Sequence, residues 1–341
     1  MANVAMVVTN ACAPDPRVER HAKWLTESGH QVTIHAWDRL CIHPENELRN
    51  GYRIKRYQHG KTNFSAPIKT WFRKKKFLRK IKIDADIIIL NDSDTMGVKS
   101  SGPTILDVHD LAHTWPLMRG NSLMHKAASW AMLKQAKKAI LSSNEVIVSA
   151  PDFQHWVSDF NRDSTVVMNK RNTINIQNTK DKVLGYFGRI REFESINHAY
   201  NAAKTAGFRM VVAGDGIDVE KMLLELPQID YRGPFTEEEL TDLMSEISVM
   251  YAMYNPKRAN ISNGAIPTKM LDAAAHGVPS VVNSESPMGE YCVAEKLGTT
   301  AKYGDNESIA KAIQAAYGIK ITDYNTDDKE SFMKVVEKIL N

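Results

Sequence analysis

Three cysteines, Cys12, Cys41 and Cys292, are all that 341 residues provide, with no CxxC pair and no zinc-type spacing. That argues against a disulfide framework or a structural zinc site, and it fits a reducing compartment. No run approaches the roughly 18 apolar residues a membrane span needs. The first ten residues, MANVAMVVTN, lack a basic lead and a cleavage site, so they read as a strand rather than a signal peptide. A formal net charge of +4 is too small for a whole-molecule nucleic-acid binder, so any basic partner site must be local. The expected location is cytoplasmic. With 43% hydrophobic and 25% charged residues, the chain has a soluble, globular composition, long enough for two domains.

Short apolar runs alternate with helical periods, and the pattern occurs twice. In the first half VAMVV, QVTIHAW, IKRYQH, ADIIIL, PTILDVH and EVIVSA read as strands, with helices at RVERHAKWLTESG and 125–143. The second half restarts at KVLGYFG and continues through FRMVVAGDG, QIDYRGP, VMYAMYN and VPSVVN, with helices expected at 195–207, 218–226 and 236–248. Strands alternating with helices predict parallel sheets with crossover helices. The polar stretch 169–182 reads as an interdomain linker. The expected organisation is therefore α/β, with two Rossmann-like doubly wound domains facing a cleft. They would span 1–175 and 182–322, and a last helix in 323–341 would pack back on the first domain.

In doubly wound sheets ligands bind beyond the carboxyl ends of the strands, and three such loops in the second half carry suitable chemistry. YFGRIREFES places Gly188, Arg189 and Arg191 at a strand-to-helix turn, a setting that favours a diphosphate. VVAGDG offers Gly214, Asp215 and Gly216, where a ligand or a neighbouring backbone can approach closely. It lacks the full GxGxxG pattern, so a dinucleotide site is not supported. In NGAIPTKMLDAAAHGVPSVVN, Pro267 is placed at the first position of a helix and Gly277 at its end. Lys269 and the helix N-terminus suit anionic oxygens, and Asp272, one turn on, can accept both hydroxyls of a ribose. A plain Lys269–Asp272 surface pair is the alternative.

These stretches resemble the GT-B glycosyltransferases, and within them the family 4 type, which transfers from nucleotide-sugars with retention. Residues 13–37 resemble that family's opening strand–loop–helix, and ILDVHD resembles the loop bearing its active-site histidine. YFGRIR and VVAGDG resemble its diphosphate and base loops, and PTKMLDAAAHGVPSVV its signature helix. Many members carry two glutamates eight positions apart. Here Asp272 takes the second position and Gly264 the first, so sugar recognition is expected from Asn263 and the backbone of Asn263, Gly264 and Ala265. Glu194 stands where a lysine is common, with Arg191 as the substitute. The resemblance implies same-face transfer with His109, Arg189 and Lys269 as the catalytic set, a nucleotide-sugar (UDP before GDP) as substrate, and no metal or other cofactor.

On the acceptor side, His109 and Asp110 end one strand, Asp92 ends the preceding one, and Asp15 and Arg17 lie in the first loop. These are the candidates to orient a saccharide or lipid-linked acceptor, although Asp15 is equally suited to capping a helix. IKTWFRKKKFLRKIKI (68–83) has eight basic residues and no acid. Lys69, Arg73, Lys76 and Lys80 fall on one helical face, and Trp71, Leu78 and Ile81 toward another. That pattern reads as a membrane-surface helix, with no base-reading motif to support nucleic acid. Because a glutamate is common where Gly264 stands, a catalytically silent nucleotide- or glycan-binding subunit is the alternative to an active transferase.

Overall fold

The computed structural model describes residues 1–62, 66–177, 179–322, 324 and 326–341. The expected boundary at 322/323 meets position 323, which lies outside them. Two units result, one formed by Met1–Met168 with Asp327–Asn341 and the other by Asn169–Thr326.

The first unit opens with β1 (Asn3–Val8), α1 (Pro16–Glu27) and β2 (Gln31–Trp37). Next come β3 (Asn46–Arg49), β4 (Tyr52–Tyr57), α2 (Pro67–Lys80), β5 (Lys82–Ile83), β6 (Ile87–Asn91) and β7 (Lys99–Ser100). After β8 (Thr104–Val108) follow α3 (Trp115–Arg119), α4 (Leu123–Ser142), β9 (Glu145–Val148), α5 (Pro151–Ser158) and β10 (Thr165–Val166). The main sheet runs β10-β9-β8-β6-β1-β2-β4-β3, with every pair parallel except β3–β4. β1 and β6 are apolar and buried along nearly their whole length, as central parallel strands covered on both faces must be. Strand order reverses between them, so the loops after β1 and β6 flank the switch point. Helix α1 buries Val18, His21, Ala22 and Leu25 at helical spacing, and Asp15 caps it by accepting from the Val18 amide.

In the second unit β11 (Val183–Phe187), α6 (Phe193–Ala206), β12 (Arg209–Ala213), α7 (Val219–Glu225), β13 (Asp230–Tyr231) and α8 (Leu240–Ser245) come first. They are followed by β14 (Val249–Tyr251), α9 (Ala259–Ser262), α10 (Thr268–Ala275), β15 (Ser280–Asn283), α11 (Pro287–Ala294), β16 (Gly298–Ala301) and α12 (Asn306–Ala316). The parallel sheet is ordered β13-β12-β11-β14-β15-β16, with its switch point between β11 and β14. Its core joins Leu184, Val212 and Tyr251 of the strands to Ile196 of α6 and Ile309 and Ile313 of α12.

The closing helix α13 (Asp328–Leu340) belongs to the first unit. It buries Phe332, Val335 and Val336, and Phe332 stacks on His21 with ring centroids 4.3 Å apart. The stretch expected to be a linker is not free chain. Its Ile174 amide donates to the Ala275 carbonyl, which ties it to the end of α10.

Candidate active site

In the second unit the loop after β11 is laced to the loop after β12. Gly188 N donates to the Ala213 carbonyl and Ile190 N to the Asp215 carbonyl. A Cβ on Gly214 would lie 1.8 Å from the Gly188 carbonyl oxygen, and one on Gly216 1.9 Å from that of Ile190. These two glycines therefore allow loop-to-loop contact, and the Gly188 and Gly214 amides both donate within the protein. Arg189 and Asp215, both exposed, form an ion pair across the two loops at 2.9 Å. Arg191 is exposed as well.

Helix α10 begins beside this loop pair, with Pro267 as its cap rather than its first residue. Lys269 points inward. Its Nζ sits 3.7 Å from the Tyr186 ring centroid and 4.9 Å from that of Tyr254, and the residue is only 8% exposed. No carboxylate of the described residues lies within ion-pair distance of it. Burial pushes the ammonium down to about 7 against the longer-range pull of Glu192, and Arg258 and Arg191 add to the lowering. Glu192 itself accepts from Arg258 (2.9 Å) and from the Asn255 amide (3.2 Å). Asp272 does not pair with Lys269. Its carboxylate is held by Arg171, which also reaches Glu237 at 2.7 Å.

The turn before α10 corrects another expectation. The amides of Asn263, Gly264 and Ala265 all donate to carbonyls of residues 259–261, closing α9, and the Asn263 side chain donates to the Ala259 carbonyl. They are spent on the turn rather than offered to a sugar. Gly264 is buried with φ +93°, in the left-handed region that favours glycine.

In the first unit β8 carries Asp107 and, just beyond its end, His109. Their i, i+2 spacing puts both on one side. Arg17 is not at a loop surface. It is 5% exposed, and its guanidinium grips Asp107 at 2.6–3.1 Å and the Val167 carbonyl at 2.7 Å. His109 Nε2 lies 3.1 Å from the same carboxylate, and Nδ1 lies 3.7 Å from Asp92. Desolvation alone would lower the imidazole, but Asp107 and Asp92 raise it to about 9. Asp92, held at φ +66°, accepts from the His109 amide, and desolvation raises its carboxyl to about 7 against the pull of His109. Asp110 accepts from its neighbour Leu111 N and from Trp115 Nε1. Asp15 serves as the α1 cap and accepts from the Asn10 amide group. Among the described residues, no group of three or more His, Cys, Asp or Glu is placed to hold a metal ion.

Residues 181–318 match the model for glycosyl transferases group 1. The match covers most of the second unit and less than half of the chain. A comparison with curated protein sequences returned no match. Solved structures similar to the whole chain include sucrose-phosphate synthase from Thermosynechococcus elongatus, at TM-score 0.70 and 13% identity, covering 100% of this chain and 96% of that one. Anabaena HepE in complex with UDP-glucose gives 0.65 and 10%, covering 99% and 98%. WaaG, a glycosyltransferase involved in lipopolysaccharide biosynthesis, gives 0.61 and 10%, covering 98% and 95%. The fold is that of the GT-B glycosyltransferases, with two Rossmann-like domains.

Within the second unit the sequence reading missed Arg171, Tyr186, Glu192, Tyr254 and Arg258. Tyr254 and Arg258 follow β14 at the switch point, so strand order would have flagged them. Arg171 had no signal, because its partner Asp272 lies 101 residues away.

Proposed function

We propose that the protein is a retaining glycosyltransferase. It would move a hexose-type sugar from a nucleoside-diphosphate sugar, UDP before GDP, to a saccharide or lipid-linked acceptor in cell-surface glycan synthesis. One observation carries the reading: Lys269 is a nine-tenths buried cation in the first turn of α10, with no carboxylate of the described residues in ion-pair range. A buried charge without a partner is costly, so the site is built for an anion that arrives with the ligand. The helix N-terminus and Arg191 add positive charge there, which suits a diphosphate.

In this reading the bond from the sugar C1 to the diphosphate oxygen breaks as the acceptor oxygen bonds to C1 on the same face. The departing diphosphate takes the acceptor proton. Lys269, Arg189 and Arg191 stabilise the charge developing on the leaving group, and Asp272 exchanges Arg171 for the ribose hydroxyls. His109, with Asp92 beside it, serves the acceptor side. The basic helix α2 brings the protein to an anionic membrane surface: Phe77, Leu78 and Ile81 anchor it, while Ile68, Trp71 and Phe72 stay exposed beside its lysines. Trp71 thus sits with the cations rather than with the buried face.

A panel of nucleotide-sugars assayed for transfer and hydrolysis tests this, with Lys269→Ala as control. Turnover of one donor that collapses in the variant is expected. Unchanged turnover in Lys269→Ala would remove the lysine from the mechanism. A second reading, a silent nucleotide-binding subunit, draws on the Arg171–Asp272 pair and on the spent amides of the 263–265 turn. It predicts nucleotide binding with no turnover of any donor.

A further inference from the structure

Residues 111–144 contain no Asp or Glu, while Arg119, Lys126, Lys134, Lys137 and Lys138 all fall within them. Most of the stretch is α4. Its inner side is fixed to the first unit by Ser129, Ala136, Ala139 and Ile140, all buried, and by Gln135, whose amide donates to the Ser93 carbonyl at 2.9 Å. The opposite stripe, at alternating three- and four-residue spacing, is Leu123, Ala127, Trp130, Lys134, Lys137 and Leu141, all exposed. This stripe changes character along its length. Its first members are apolar, with Leu123 86% and Trp130 58% exposed, and beside them lie Met124, 77% exposed, and the exposed Lys126. The later turns are cationic, and Lys134 Nζ rests 3.7 Å over the Trp130 ring. Helix α3 packs against α4 and adds exposed Trp115 and Met118.

A merely solvated helix gains nothing from leucine and methionine in water at its first turn. A nucleic-acid surface would use the lysines but not that tip. An anionic lipid surface uses both parts: the apolar turns enter the acyl boundary, the indole lies at the interface, and the lysines reach lipid phosphates. Helix α2 repeats the device, with Lys75 Nζ 3.7 Å over Trp71. Both helices lean on the same 3-10 turn, Ser93–Thr95, since Lys74 reaches Asp94 at 3.5 Å and Gln135 reaches Ser93.

We infer that the α3–α4 segment is a second lipid-contacting element, its Leu123–Met124 tip entering an anionic membrane. This rests on the membrane part of the proposed function and extends it from one helix to two. The test uses the full-length chain with Cys41→Ser, labelled with an environment-sensitive fluorophore through Leu123→Cys or, separately, Phe72→Cys. Phosphatidylglycerol-containing vesicles should blue-shift both labels, and phosphatidylcholine vesicles should not. An unlabelled Leu123→Asp/Met124→Asp variant should bind anionic vesicles about tenfold more weakly while hydrolysing the nucleotide-sugar at the parent rate. A shift at 72 with none at 123 overturns the inference and leaves the α2 reading standing. No shift at either position overturns both. A shift at 123 produced by heparin alone, or by raising protein concentration without lipid, also overturns it, pointing to a polyanion site or to self-association.

Discussion

Arg171 and Asp272 form an ion pair inside the second unit, joining an irregular stretch to α10. The carboxylate that sequence spacing pairs with Lys269 is thereby engaged by a different cation. If Asp272 holds the donor's ribose, Arg171 competes with it. Arg171→Gln should then lower the donor KM by about threefold, since releasing a partly exposed pair of this kind is worth on the order of 0.5–1 kcal/mol, and should leave kcat near the parent value. Steady-state kinetics over a donor series decides the matter. A higher KM would instead make Arg171 part of the donor site.

In the proposed reaction, Lys269 sets a pH dependence of definite sign. Its ammonium titrates at about 7, below the ordinary 10.5, because burial disfavours the charge. The cation is present below that value and lost above it, so kcat/KM for the donor should fall as pH rises past about 7. In Lys269→Ala that limb should vanish, with a loss of about 10²–10³-fold in kcat. Stability runs the other way. Between about 7 and 10.5 the unfolded chain binds a proton that the folded chain does not, so stability rises with pH across that window. His109 contributes the opposite slope between 6.5 and about 9, so the Lys269 term is read as a difference: from pH 7 to 9 in urea unfolding, stability should change less favourably in Lys269→Met than in the parent.

How far the sequence revealed this molecule depends on the range of the interaction. Runs such as ADIIIL and KVLGYFG must be covered on both faces, and they became the central strands β6 and β11. The polar NELR segment, β3, is an edge strand of alternating exposure and carries little apolar signal. The helix expected at 236–248 shrinks to Leu240–Ser245, because its acidic opening has no apolar residue to dock. At the site, spacing located α10 and its lysine but could not show that Lys269 turns inward onto Tyr186. Arg17 was placed in an acceptor loop, yet it is buried against Asp107, 90 residues away. An aspartate inside the apolar run ILDV was the available hint, since a charge in a central parallel strand needs a buried partner.

That partner makes Asp107 a structural test. It is fully buried, and although burial alone would raise its carboxyl, Arg17 and His109 hold it well below the usual range. Asp107→Asn leaves the Arg17 guanidinium buried without its counter-ion, which should cost about 3–5 kcal/mol in urea unfolding. His109 should respond too. Its raised value, about 9, means that the folded state gains stability below 6.5 and loses it as pH rises through about 9. In the variant the imidazole should titrate nearer its ordinary 6.5, as followed by NMR of the ring. A His109 titration unchanged by Asp107→Asn would refute the assignment.

The contact between the loops after β11 and β12 predicts a contrast between two glycines. At Gly214 φ is +139° and an added Cβ would lie 1.8 Å from the backbone oxygen of Gly188, which cannot move without breaking its loop's bonds to Ala213 and Asp215. At Gly233 φ is +78°, but an added Cβ meets nothing within 4 Å. Gly233→Ala therefore carries conformational strain alone, about 1–2 kcal/mol. Gly214→Ala adds a backbone collision to its strain and should cost about 3–5 kcal/mol. Thermal unfolding of the two variants measures the difference. Equal losses would mean that the loops can separate freely, and the close approach would then not be what requires glycine at position 214.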